Sequence, residues 1–287
     1  MEKDNQKVKG IIFMILSALF FALMSLFVRL LDGIPLAEKG MFRNLFALFV
    51  TGISVWKNKM PLSLPAKGRK YVILRAVLGT AGLVCNFYAI SRINLADANI
   101  LNKLSPFFTI LFSYLFFKEK ISQRRLRIIV GIFIGAVFVI KPSGENMLLV
   151  PLLIAALGGV TAGAAYACIR GATSNGVDKK LVVFYFSLFS TLFLLPSTII
   201  HFVMPTPREA LFLVLCGVCG CGGQLSITQA FSYAPSSEIS GYDYTQVLFS
   251  AILGFILFGQ VPDVWSFVGY AIIIGLAILD FAMRKKE

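Results

Sequence analysis

Charge is what this chain most lacks. Only 14 % of its 287 residues are charged, against 57 % hydrophobic. The mean hydropathy is +0.82. A soluble domain whose surface helices carry charge along one face is therefore excluded. Histidine is nearly absent. The single one, His201, falls at the end of an apolar run with no metal-ligand spacing around it. One histidine so placed supports neither a metal centre nor a Ser–His–Asp set. No Gly-x4-Gly-Lys-Ser/Thr loop occurs, so the chain encodes no ATP-driven motor. The five cysteines (Cys85, Cys168, Cys216, Cys219, Cys221) all sit in apolar segments, and spacing assigns none of them a partner. Cys216-x-x-Cys219-x-Cys221 has no histidine or second cysteine pair to complete a coordination set, so it reads as small packing residues. No cofactor and no metal are expected.

What is present is a series of charge-poor runs, each about 17 to 22 residues long, enough to cross a bilayer as helices. Ten fit, at about 10–30, 35–56, 71–91, 96–117, 124–141, 147–169, 181–203, 209–233, 238–258 and 264–283. The run from Gly10 is too long for a signal-peptide core and no small-residue cleavage site follows it, so it reads as the first span. Glycine (24) and phenylalanine (27) are plentiful, as close helix crossings and lipid contact require. The formal charge of +13 suggests nucleic acid only until the charges are placed. Eighteen lysines and arginines fall in the two tails and the connections after spans two, four and six, against four in the opposite connections. That asymmetry predicts both termini in the cytoplasm, with the lipid bilayer and not nucleic acid as the partner.

The sequence also repeats. A shift of 141 positions lays Arg29 on Arg170, Gly79 on Gly220, Gly82 on Gly223, Ala89 on Ala230, Asp97 on Glu238 and Phe117 on Phe258. The two units are residues 1–142 and 143–287, five spans each. An odd number of spans per unit inverts the second copy, a design used by alternating-access carriers.

Polar residues inside spans point to the site, because an ionisable group at span centre costs about 2.5–3.5 kcal/mol unless partnered or hydrated. The fourth span carries Asn99, Asn102 and Lys103, followed by Pro106, all on one face of a continuous helix. The shift sets Ser240, Asp243, Tyr244 and Val247 opposite them on the ninth span. A pseudo-twofold axis brings the two stripes face to face near the midplane. Lys103 and Asp243 become the central pair, either a structural ion pair or a substrate site. As a site, Lys103 offers a cation to a carboxylate or phosphate, and Asp243 takes an ammonium or a coupling proton. Asn86 in span three and Gln224 in span eight are further lining candidates. Asp97 and Glu238 read as helix-start acids. Tyr242 and Gln246 read as packing residues; Arg43, Asn44 and Arg75 read as residues at a cavity mouth or as snorkelling side chains, with snorkelling the favoured reading for Arg75. Glycines 79, 82, 217, 220, 222 and 223 read as crossing points.

The stretch Leu104-Ser105-Pro106-Phe107-Phe108 through Tyr114-Leu115-Phe116-Phe117 to Lys118-Glu119-Lys120-Ile121 resembles the signature of the EamA family of the drug/metabolite transporter superfamily. Val247 to Phe258 with Gly259-Gln260-Val261 is similar in decayed form, with Val247 in place of the proline and Gln260 in place of the glutamate. Arg43-Asn44-Leu45-Phe46 at the start of span two is similar as well. The resemblance implies an all-α integral membrane protein of ten transmembrane helices in two inverted repeats. Spans 1, 3, 4, 6, 8 and 9 surround a cavity, and spans 5 and 10 lie at the periphery or a homodimer contact. It also implies transport of small metabolites, commonly amino acids, often outward, and a proline kink in one half only.

The expected function is a secondary transporter of the inner or plasma membrane. It moves an amino-acid-like metabolite or organic ion, coupled to a proton, a counter-substrate or the substrate gradient alone. The rival readings are a membrane-embedded lipid- or metabolite-modifying enzyme, which needs longer loops and an acid/base cluster, and a channel, which needs repeated charge around a pore.

Overall fold

The computed structural model describes residues 2–117, 123–140, 148–233 and 240–284. Among them the regular elements are all helical. In order they are α1 (Glu2–Leu30), α2 (Leu36–Lys57), α3 (Ala66–Arg92), α4 (Leu95–Asn102), α5 (Ser105–Phe117), α6 (Gln123–Ile140), α7 (Leu149–Ser174), α8 (Lys179–Ile200) and α9 (Pro207–Tyr233). A 3₁₀ turn, Ser240–Tyr244, then leads into α10 (Thr245–Phe258), and α11 (Val264–Arg284) follows. Ser236, Ser237 and Glu238, expected to open span nine, lie outside the described residues, as do Glu119 and the Lys141–Gly144 turn.

Local chemistry sets the ends. Proline stands just before α2 and α3, as Pro35 and Pro65, and inside the start of α9, as Pro207. At the last of these the Thr206 N–H donates to Glu209 Oε2 (2.8 Å) while the Glu209 N–H donates to Thr206 Oγ1 (3.3 Å), a reciprocal capping box. Asp178 caps α8 by accepting from the Lys180 N–H at 2.7 Å, and Asp263 caps α11 by accepting from Ser266 at 2.8 Å. Gly259, at φ +62°, stops α10 in the left-handed conformation that favours glycine.

Taken singly, five helices are long and apolar enough to span a membrane: Val8–Leu30, Ala66–Arg92, Leu149–Ser174, Lys179–Ile200 and Pro207–Ile227. The other expected spans fall short for visible reasons. Helix α2 carries Glu38, Lys39, Arg43 and Lys57, span four is divided into α4 and α5, and the described part of span nine opens as a 3₁₀ turn. Outward faces are apolar, with Leu192, Phe193, Ile199 and Ile200 of α8 and Phe255, Ile256 and Leu257 of α10 all exposed. Such surface suits acyl chains.

The breaks correct the expectation of a continuous fourth helix with a kink in one half only. Helix α4 stops at Asn102 and α5 restarts at Ser105, with Lys103 and Leu104 in a turn. The Leu104 carbonyl accepts from the Phe107 and Phe108 amides at 3.0 and 3.2 Å, so Pro106 occupies a first turn, where its missing N–H costs nothing. On the other side the 3₁₀ turn ends at Tyr244, the position equivalent to Lys103 under the 141-residue shift. Among the described residues, departure from regular α-helix therefore falls at the same register in both copies, as a turn after α4 in one and as the 3₁₀ turn before α10 in the other.

Packing follows the repeat. Helices α3 and α7 pair extensively, and so do their equivalents α9 and α1. The α5–α7 contact is matched by α10–α1, and α2–α9 by α8–α3. Two pairings, α2–α8 and α6–α11, map onto themselves. Such exchange is the signature of a pseudo-twofold axis, and five rods per repeat make equivalent rods run oppositely. The crossings are tight where glycine was expected to allow it. A Cβ at Gly82 would meet the Ala162 nitrogen at 3.2 Å, and one at Gly223 would meet the Phe21 ring at 2.8 Å.

Candidate functional site

The turn between α4 and α5 places a charged residue in the buried interior. Lys103 follows the last residue of α4, a position that suits a cation because the helix carbonyls converge there. Its Nζ donates to Asp243 Oδ2 at 2.5 Å, joining the two copies, with 8 % and 15 % of the side chains exposed. The Tyr244 hydroxyl donates to the Lys103 carbonyl at 3.1 Å, a contact between repeat-equivalent residues and so close to the axis. Asp243 Oδ1 is buried with no protein partner. A carboxylate oxygen of this kind asks for a donor.

One helical turn from this pair, Asn99 is 1 % exposed and fully engaged. Its Nδ2 donates to the Leu95 carbonyl (2.8 Å) and to Ser250 Oγ (3.0 Å). Its Oδ1 accepts from Gln246 Nε2 (2.7 Å) and from Ser25 Oγ (3.3 Å). Asn99 thus sits in a packed network across α1, α4 and α10, where sequence placed it on an open wall; Ser250 and Ser25 went unnoticed in the sequence. Asn102 is half-buried. Asn86 holds a buried Oδ1 without a partner. Gln224 is half-buried on α9. Ser240 opens the 3₁₀ turn, and its side chain lies outside the described ones. Asp97 accepts from the Tyr270 hydroxyl at 2.7 Å in the first turn of α4, a structural use. Gln260 Oε1 accepts from the Leu95 N–H at 3.1 Å, capping α4 from the other half.

Arg75 requires a correction. It does not snorkel: it is 6 % exposed, and its guanidinium lies 4.1 Å from the Phe186 ring centre and 5.9 Å from that of Tyr166. Arg43, also 6 % exposed, approaches the same Phe186 ring at 6.0 Å and donates from Nη1 to Asn44 Oδ1 at 2.7 Å. Glycine makes the room. The Arg75 guanidinium lies where a Cβ of Gly79 would stand, and Arg43 Nε comes within 2.9 Å of a Cβ on Gly220. These glycines are repeat equivalents and the central residues of α3 and α9. The sequence signal was an arginine four residues before a glycine in an apolar run, which lets the side chain lie along its own helix. Phe186 and Arg43 also bring spans seven and two to a cavity the resemblance drew without them.

The five cysteines are free, and the described residues hold no group of three or more side chains able to bind a metal ion. An open groove of about 720 Å³ at the end of α2, lined by Trp56, Met60 and Phe184 among others, holds none of the candidate residues.

Comparison with known proteins agrees with this architecture. The pseudopaline exporter of Pseudomonas aeruginosa is 31 % identical over 279 residues, 96 % of this chain and 97 % of the exporter. Human solute carrier family 35 member G1 is 29 % identical over 293 residues, 96 % of this chain and 79 % of the carrier. An S-adenosylmethionine uptake transporter of Rickettsia bellii is 25 % identical over 222 residues, 75 % of this chain and 73 % of that protein. A solved crystal structure superposes with a TM-score of 0.69 at 16 % identity, covering 96 % of this chain and 98 % of the other, which shows the fold. The EamA-like transporter family matches residues 8–141 and again 149–279. The chain belongs to the EamA-like transporter family and is a multi-pass membrane transporter, not an enzyme.

Proposed function

We propose that this transporter is a secondary carrier that exports a small, polar, amino-acid-like metabolite across the cytoplasmic membrane by alternating access. The halves 1–142 and 143–287 rock about a site formed by Lys103, Asp243 and Asn102, with Asn86, Gln224, Ser240 and Tyr244 around it. The observation that carries this is the Lys103–Asp243 contact at the two repeat-equivalent helix breaks. Broken helices put unpaired backbone dipoles and charge at mid-depth, where a substrate can engage them and where two halves can pivot. Lys103 binds an acidic group; Asp243, through its open Oδ1, binds an ammonium or a coupling proton. The relatives support a small-molecule cargo and differ in direction: one is named an exporter, another an uptake transporter. Both termini lie in the cytoplasm, as the basic connections require. A counter-substrate is the alternative coupling partner, and α6 with α11 forms the peripheral face for a homodimer.

The test is a thermal-shift screen of the purified protein against a metabolite library, followed by flux of the hits in proteoliposomes. Saturable, trans-stimulated flux that is lost in Lys103→Gln and Asp243→Asn is expected. Hits carried equally well by both variants would remove the pair from the site.

A further inference from the structure

The charges at mid-depth do not balance. Arg43, Arg75 and Lys103 are buried, and the acid facing them is Asp243, whose Oδ2 is taken by Lys103. Of the other acids inside described helices, Asp97 is held by Tyr270, Glu38 at the start of α2 accepts from the Val203 N–H, Glu209 caps α9, and Glu2, Asp4 and Asp280 stand near the two chain ends. Among the described residues no carboxylate pairs with either guanidinium. An arginine cannot shed its proton in a protein, so burial leaves two cations uncompensated at about the depth where charge costs most.

The surroundings make this a built compartment. The Tyr166 ring on α7 lies 5.9 Å from the Arg75 guanidinium, and the Phe186 ring on α8 lies 4.1 Å from Arg75 and 6.0 Å from Arg43, so aromatic faces of two helices border the arginine pair. Arg43 and Arg75 both face Phe186, and each keeps a buried Nε–H without an acceptor. On α8, Ser187 and Thr191 lie on the face next to that of Phe186, and their buried hydroxyls also lack partners. Ser190 between them bonds Thr80 of α3 at 2.6 Å, fixing that strip toward α3. Unsatisfied donors of this number in one place ask for acceptor-rich cargo.

We infer that Arg43 and Arg75 form an anion subsite for a substrate carrying at least two acidic groups. This rests on the carrier reading above and narrows its cargo to a polyacidic, amino-acid-like metabolite. The planar guanidinium forks clasp carboxylates or phosphates, and Asp243 Oδ1 remains for an amino group on the same molecule. Because Gly79 and Gly220 are the central residues of their helices, the pair sits too deep for a lipid headgroup in its own leaflet.

The test uses the purified full-length chain, with succinate, glutarate and glutamate as probes against succinamide, glutamine, chloride and phosphatidylglycerol. At least one dicarboxylate should raise the unfolding temperature, and the amides should not. Arg43→Gln and Arg75→Gln should each weaken that response about tenfold or more, the loss expected for a charge-assisted pair. Arg75→Lys should fall between. Gly79→Ala, which crowds the Arg75 guanidinium without deleting it, should mimic Arg75→Gln, and a cooperative unfolding transition near the wild-type temperature in each unliganded variant guards against misreading a folding defect. Equal dicarboxylate responses in wild type and arginine variants would overturn the inference. So would no response to any dicarboxylate, or chloride or phosphatidylglycerol acting as well as the dicarboxylates. Saturable flux of a neutral or cationic metabolite, untouched by the arginine variants, would sink this subsite alone and leave the carrier reading standing.

Discussion

At the scale of single residues, two kinds of buried polarity coexist. Asn99 satisfies four neighbours and joins α4 to α1 and α10. Asp243, Arg43 and Arg75 each keep an unpartnered atom. On the proposed reading the first pattern is adhesive and the second receptive, a distinction between structural and ligand-facing groups that residue type alone does not make. Replacing Asn99 with leucine strands the Gln246 amide and should cost about 1–3 kcal/mol. The check is thermal unfolding in detergent, where the midpoint should fall by several degrees while affinity for transported hits holds. An unchanged midpoint would show that the network contributes nothing. The sequence made Lys103 and Asp243 legible because charge in an apolar run is conspicuous. It hid Arg75, since snorkelling and burial share one sequence pattern and only the facing Gly79 and Phe186 decide between them.

At the scale of elements, apolar length located the rods because the bilayer dictates that length, but α1 starts eight residues and α3 five residues before the expected spans, where polar residues extend the helix. The breaks were missed for a reason that is also physical. Proline suggests a kink in one copy only, yet the second copy departs from regular α-helix at the equivalent register, in the 3₁₀ turn ending at Tyr244, with Val247 in place of proline. What both breaks share is cross-contact at the axis, with the Tyr244 hydroxyl on the Lys103 carbonyl and Lys103 on Asp243. Tertiary bonds therefore hold the interruption, and Pro106 only suits the helix start that follows. Pro106→Ala should accordingly lose no more than about 1 kcal/mol, chiefly through a freer unfolded chain. Flux should stay within about twofold of wild type by the same estimate, since 1.4 kcal/mol is needed for a tenfold change. Abolished flux would mean the proline sets the break after all.

At the scale of the whole molecule, the repeat was the strongest signal in the sequence, and its consequence is the exchange of pairings between α3–α7 and α9–α1. The proposed orientation rests on the placement of basic residues and can be tested directly. Cysteines substituted for Lys59 and for Met204, both exposed and at opposite ends of the bundle, should react differently with a membrane-impermeant maleimide on intact cells. Met204→Cys should label from outside, and Lys59→Cys only after lysis. The reverse result would invert the topology. The native thiols interfere little, since four of the five are buried. Gln260 bridging to the Leu95 amide from the far half fastens the bundle on the side away from the two chain ends. Any cycle that opens that side has to undo this clasp once per turnover. Being an amide and not an acid, the clasp carries no proton of its own to gain or lose, so its release should proceed alike in acidic and alkaline surroundings.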